Sequence, residues 1–153
     1  IERSQARVTI TDIPDTPGQS GKILGCLAEA EINVDMIVSN ISSDGMARHS
    51  FTMHTNDLGR AQAALKPVLG ELSSDAKIET EAALAKLSTV GIGMRSHSGV
   101  AAKMFQALGK AGINIGMITT SEIKISVTVS ESQIEDAARV VHEAFELDKK
   151  PLA

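Results

Sequence analysis

The chain has 153 residues, 42% hydrophobic and 22% charged, with 15 Lys and Arg against 19 Asp and Glu for a formal net charge of −4. These values are those of an ordinary globular protein and exclude a disordered chain, while no apolar run approaches the roughly 20 residues of a membrane-spanning helix. With no Trp, no Tyr, three Phe and a net negative charge, the basic and aromatic surface that nucleic acids require is missing.

The N-terminal IERSQARVTI lacks the charged-then-apolar pattern of a signal peptide, so a cytoplasmic location is expected. One cysteine, Cys26, excludes an intrachain disulfide, and its place on an apolar helical pattern marks it as buried filler.

Residues 8–13 alternate apolar and polar side chains before DTPG interrupts them, which predicts a strand running into a turn. Ile23, Leu24, Leu27 and Ala30 then fall on one helical face. A strand over 32–41, the turn SSDG and a strand over 49–55 predict a hairpin. Asp57 is placed to cap a second helix whose buried face carries Leu58, Ala61, Leu65 and Leu69, and 77–80 reads as a weak last strand.

The same order then begins again. Strand 87–93 leads to a helix over 100–111 with Met104, Phe105, Leu108 and Ala111 on one face. Strands over 113–119 and 123–130 follow, and then a helix marked by Ile134, Ala137, Ala138, Val141, Ala144 and Phe145. The recurrence is visible letter by letter. GQSGKILGCLAEAEINVDMI, residues 18–37, aligns without a gap on GVAAKMFQALGKAGINIGMI, residues 99–118, at an offset of 99 − 18 = 81. An internal repeat of this length sets the folding unit at about half the chain.

The first copy reads βαββαβ; the second lacks the sixth element, so its sheet is expected to take an edge strand from elsewhere. Sequence upstream of Ile1 is one candidate source.

In each copy a glycine-bearing loop joins a strand to a helix, PDTPG in the first and MRSHSG in the second. Unpaired N–H groups at a helix start favour a carboxylate, and Gly18 and Gly99 let a backbone approach closely. Asn33 and Asp35, two apart, would share one face of the next strand, with Asp35 placed for an ammonium group. Read structurally instead, Asn33 closes a turn and Asp35 is a solvated strand residue. The second copy has Gly116 at the place of Asp35, so two ligand sites would differ in chemistry.

Catalytic readings are poorly supported. Ser96, His97 and Ser98 are adjacent and lack an acid to orient the imidazole. His49 and His54, five apart, would lie on opposite faces of a strand, which disfavours zinc. GIGMRSHSG has its third glycine at the wrong spacing for a dinucleotide loop.

The segments VTITDIPDTPG, INVDMI, VGIGMRSHSGVAAKMF and GINIGMITTSEIKISV resemble the tandem ACT domains at the regulatory end of aspartate kinase, over nearly the whole chain. The resemblance implies an α+β chain of two ferredoxin-like ACT domains (βαββαβ), at 7–81 and 86–148, the second lacking one strand. Residues 1–6 would be the remnant of an upstream strand or linker. It implies pairing of ACT sheets and helices between chains, most simply in a homodimer, and partnership with a catalytic aspartate kinase chain.

By the same resemblance this chain is not an enzyme on its own and carries no cofactor; ATP and magnesium belong to the kinase portion. It would bind the end-product amino acids lysine, threonine or both for feedback inhibition. The effector contacts implied are Asp15, Thr16, Pro17, Gly18, Asn33, Val34, Asp35 and Ser39 in the first copy. In the second they are Met94, Ser96, His97, Gly99, Val100, Asn114, Ile115, Thr120, Ser121 and Glu122. Many relatives carry Gln where Ser39 stands and Pro where Ser98 stands. The alternative reading is a stand-alone ACT-type amino-acid sensor that regulates another protein.

Overall fold

The computed structural model describes residues 1–91 and 97–149. The chain divides into two compact units: Ser4–Ala82, and Ile1–Arg3 together with the chain from Ala83 onward. Among the described residues no helix is long and apolar enough to cross a membrane.

The first unit takes most of β1 (Glu2–Pro14), then α1 (Gln19–Glu29), β2 (Ile37–Ile41), β3 (Met46–His54), α2 (Leu58–Leu72) and the opening of β4 (Lys77–Val90). Its strands lie in the order β2-β3-β1-β4, and β3 runs antiparallel to both neighbours. The ion pairs Arg7–Glu81 and Asp12–Lys77 show that β4 runs antiparallel to β1 as well.

One face of this sheet is apolar because β-strand side chains alternate. Val8, Ile10, Ile13, Phe51 and Met53 pack there against Ile23 and Leu27 of α1 and Ala61, Leu65 and Leu69 of α2. Strict alternation would send Asp12 into this core with Ile10. A bulge between Ile10 and Ile13, with Asp12 at φ 62°, resets the phase so that Ile10 and Ile13 both point inward. The opposite face carries the hydroxyl pair Thr9–Ser50, Oγ1 to Oγ 3.0 Å.

The second unit repeats the plan with the rest of β4, then α3 (His97–Lys110), β5 (Ile118–Thr120), β6 (Lys124–Ser130) and α4 (Ile134–Lys149). Met104 and Leu108 of α3 and Ile134, Ala137 and Val141 of α4 cover Ala85, Leu87, Ile125, Val127 and Val129. Its other face holds Ser88–Ser126, Oγ to Oγ 2.8 Å.

Sequence upstream of Ile1 was one candidate source for the strand missing from the second copy, with residues 1–6 as the remnant of an upstream strand or linker; in the structure Ile1–Arg3 group with this unit. Glu2 pairs with Lys86 at 3.5 Å and Arg3 with Glu135 at 3.1 Å, so the N-terminal residues lie along β4 and reach α4.

Three local expectations change. The strands expected at 77–80 and 87–93 form one strand, β4, with Ala83 inside it at φ 56°. The strand expected over 32–41 enters the ladder only at Ile37, and Asn33 and Asp35 stand exposed in the lead-in. Asp57 precedes α2 without a capping hydrogen bond; its carboxylate binds Arg60 at 2.6 Å, and His54 Nδ1 instead accepts from Asn56 N at 3.1 Å. Cys26 is half-buried between α1 and α2, its thiol donating to the carbonyl of Ala64 at 2.9 Å.

Candidate functional site

The loop from β1 to α1 begins where Pro14 ends the strand opposite Met46. Asp15 N donates to Gly45 O at 3.0 Å, which ties the loop to the β2–β3 hairpin, and Thr16 N donates to Pro14 O at 3.0 Å. Gly18 then adopts φ 90°, a left-handed conformation that L side chains avoid, and no atom lies within 4 Å of where its Cβ would be.

The first helical bond runs from Lys22 N to Gly18 O at 3.1 Å, so the amides of Gln19, Ser20 and Gly21 precede the ladder. No side chain caps them and no acidic residue occupies the first turn. The result is an open, electropositive helix start with room above Gly18, suited to a carboxylate.

Behind this loop, on the helix side of the sheet, Ser39 of the edge strand β2 sits directly opposite His49 of β3. Ser39 Oγ and His49 Nδ1 are 2.7 Å apart. His49 is only 7% exposed, flanked by Ile10 on β1 and stacked on Phe51 with ring centroids 6.4 Å apart. Burial pushes its pKa below the usual 6.5, and the carboxylate of Asp15 acts in the opposite direction. Gln19, the first residue of α1, buries its side-chain oxygen Oε1 without a hydrogen-bond partner.

His49 and Gln19 were not among the residues expected at the site. The available signal was a histidine in the stripe Ala47, His49, Phe51, Met53, where every other member is apolar.

Asn33, Val34 and Asp35 do not meet the Gly18 loop within the unit. Asp35 N donates to Thr52 O at 2.9 Å, whereas the loop leaves the sheet beside Met46. The six residue-to-residue steps from 46 to 52 along β3 span roughly 20 Å. The helix carries the chain back along the sheet before β2 begins, so the two groups stand at opposite ends.

In the second unit Met94 and Ser96 lie outside the described residues. His97 is the first residue of α3, and Gly99 is already inside the helix, unlike Gly18. Asn114, Ile115 and Gly116 repeat the exposure of Asn33, Val34 and Asp35, and Gly116 N donates to Thr128 O at 2.9 Å. Thr120 pairs with Ile125 as Ser39 pairs with His49. Ser121 N closes the turn on Lys124 O at 2.7 Å, and Glu122 is exposed beside it. Val100, the repeat counterpart of Gln19 at 19 + 81 = 100, is half-buried against the core.

Comparison with known proteins identifies this architecture. ACT-domain family profiles match residues 7–69 and 87–145. The chain is 48% identical over 148 residues to the aspartokinase of Pseudomonas aeruginosa, covering 97% of this chain and 36% of that protein. It therefore spans about a third of the curated relatives it matches. A structure of aspartokinase alpha and beta subunits superimposes with TM-score 0.85 at 43% identity, covering 94% of this chain and 93% of that one. The regulatory subunit of aspartate kinase from Thermus thermophilus, in its ligand-free form, gives TM-score 0.85 at 39% identity, with 93% of each chain covered. The chain belongs to the ACT-domain family, as the regulatory part of an aspartate kinase.

Proposed function

We propose that this chain binds lysine, threonine or both and transmits their presence to a cytoplasmic aspartate kinase, whose catalytic portion would transfer phosphate from ATP, with magnesium, to the side-chain carboxylate of aspartate. The open start of α1 carries this reading. It presents unpaired amides, the left-handed Gly18 and no acidic residue in the first turn, an arrangement that takes an α-carboxylate. Asp15 adjoins it for the α-ammonium group.

The distance between Gly18 and Asp35 supports sites shared between copies. β2 is an edge strand whose Ile37 and Ile41 are 46% and 61% exposed, and Ile118 repeats this on β5. Exposed apolar edges of this kind are covered in stable proteins. A second copy laid antiparallel along such an edge would bring the lead-in end of one strand, with its Asn33 and Asp35, toward the loop end of the other. One amino acid would then touch both.

Such a site regulates only if the effector binds one arrangement of the paired copies better than another. If both amino acids act together, each must strengthen the other by the same factor.

Calorimetric titration with lysine and threonine, singly and together, beside a panel of other amino acids tests the proposal. Saturable heats are expected for at least one of the two; no heat and no shift in melting temperature with any of them would exclude the sensor. Asp35→Ala should weaken a cationic effector severalfold, and an unchanged affinity would leave Asp35 as a solvated residue.

A further inference from the structure

We propose that the groove between α3 and α4 of the second unit docks an acidic amphipathic helix of a partner protein, with Ala107 and Ala144 in its floor and Lys103 and Lys110 as its charged wall. This surface is separate from the loops discussed above, and the proposal does not depend on the amino-acid-binding reading.

The helix pairs of the two units match residue for residue. α1 falls on α3 at the offset of 81, and α2 falls on α4 at 131 − 55 = 76, the step between the short 3₁₀ turns Thr55–Asp57 and Glu131–Gln133. Side chains turned toward the sheet are kept apolar: Ile23 and Leu27 become Met104 and Leu108, Ala61 and Leu65 become Ala137 and Val141, and all are buried. The seam between the helices is not kept. In the first unit Cys26 fills it, donating its thiol to the carbonyl of Ala64 at 2.9 Å, and Val68 follows one turn on. In the second unit both places hold alanine, Ala107 and Ala144. Val140, which replaces Ala64, is the larger residue of that pair, but it packs against the core. A groove of about 540 Å³ opens along the seam, floored by these residues and Ala111.

The charge of the seam changes with its shape. Lys22 is kept as Lys103, but Glu29 becomes Lys110. The two lysines stand seven residues apart on one stripe of α3, roughly 10.5 Å along the axis. Lys103 is drawn across one end of the groove toward α4, its Nζ 5.8 Å from the centroid of the Phe145 ring. Lys110 is exposed at the other end. Glu143, the acidic residue of the lining, is matched by Arg139 of its own helix at 3.7 Å. The groove is therefore positive along α3, on a chain whose net charge is −4.

A helix laid in such a groove presents side chains at i, i+3, i+4 and i+7. Carboxylates at i and i+7 match the spacing of Lys103 and Lys110, and an apolar side chain at i+3 or i+4 falls on the alanine floor, where small side chains allow two helices to approach closely. The apolar contact supplies affinity, whereas the exposed charges select the partner and speed its encounter. A second copy of this chain fits less well. Its α4 already engages its outward acids, Asp136 and Glu143 with Arg139 and Glu135 with Arg3, so it offers no open pair of carboxylates to the lysines.

The test is a nuclear magnetic resonance titration of the full, ¹⁵N-labelled chain with a synthetic helical peptide of about 15 residues, carrying glutamates seven apart with leucines between them, and with its lysine-for-glutamate counterpart. The acidic peptide should bind saturably and shift amide signals along the seam of α3 and α4, and the basic one should bind at least about tenfold more weakly. Ala107→Cys/Ala144→Val installs the first unit's own residues, so it is expected to fold, which thermal melting checks. It should weaken the acidic peptide about tenfold without changing the charge, and Lys110→Glu, at an exposed position, should weaken it severalfold. No binding of the acidic peptide at millimolar concentration would overturn the proposal, as would equal binding of the two peptides. Affinity unchanged in Ala107→Cys/Ala144→Val would place the peptide elsewhere and overturn it too. Self-association of the wild type in sedimentation velocity, abolished by the same double variant, would make a second copy the occupant and overturn the assignment to a partner protein.

Discussion

The two hairpins show what the repeat has kept and what it has released. At the base of each, one threonine makes the same joint: Thr52 Oγ1 accepts from Met36 N at 2.8 Å, and Thr128 Oγ1 accepts from Met117 N at 2.7 Å. Both threonines return their amides to the methionine carbonyls at 3.0 Å. Toward the tips the copies part. The offset is 118 − 37 = 81 at the start of β2 and β5, but 128 − 52 = 76 at these threonines, so the second hairpin has lost five residues. The closing of the sheet is held constant while the tip, and with it the chemistry beside the helix start, has diverged.

The cores can be separated by size. Phe51 is the largest fully buried side chain of the first unit, and its counterpart in the second, at 51 + 76 = 127, is Val127. Phe51→Ala should cost about 3–5 kcal/mol through lost burial and the cavity left behind. Val127→Ala removes two methyl groups and should cost ~2 kcal/mol. Equal losses in chemical denaturation would mean that the first core collapses around the missing ring. The shared joint should behave alike in both: Thr52→Val and Thr128→Val each strand a buried amide and should cost about 1–3 kcal/mol. A clear inequality there would break the equivalence of the two hairpins.

Much of this was legible in the sequence because it is local. The helix faces through Ile23 and Leu27, and through Met104 and Leu108, follow from spacing alone, and each is buried. The repeat, read over 18–37 and 99–118, exposed the duplicated βα unit. The distance from Gly18 to Asp35 was harder to see: both flank one helix in sequence, yet that helix separates them in space. His49 was hidden for a related reason. Its equivalence to Ile125 lies beyond the five-residue deletion, where the ungapped alignment no longer applies, and its burial depends on β1 and β2 on either side. The expected cap at Asp57 failed because Arg60, one turn on, competes for the carboxylate.

His49 also distinguishes the units by acidity. Its burial lowers the native pKa below the unfolded value of about 6.5. The unfolded chain therefore takes up a proton on acidification through that value while the native chain does not, so stability falls as pH drops below about 6.5. His49→Ile should flatten the fall in melting temperature between pH 7.5 and 5.5 relative to wild type, while Ile125→His should steepen it. An unchanged slope in His49→Ile would show that the imidazole is protonated in place.

The smallest difference lies where the first helix of each unit ends. Ile32 N donates to Leu27 O and Glu31 N to Ala28 O, both at 3.0 Å; in the second unit Ile113 N donates to Leu108 O and Gly112 N to Gly109 O, also at 3.0 Å. This pattern turns on a left-handed residue just past the helix. The second unit uses Gly112 at φ 74°, but the first puts Glu31 there at φ 59°. An L side chain in this conformation costs roughly 1–2 kcal/mol, part of which glycine gives back by loosening the unfolded chain. Glu31→Gly should therefore raise stability by about 0.5–1 kcal/mol, and Gly112→Glu should lower it by a similar amount, measured by denaturant titration. No gain from Glu31→Gly would mean that the glutamate makes a compensating contact, and that the first helix end is more than a strained copy of the second.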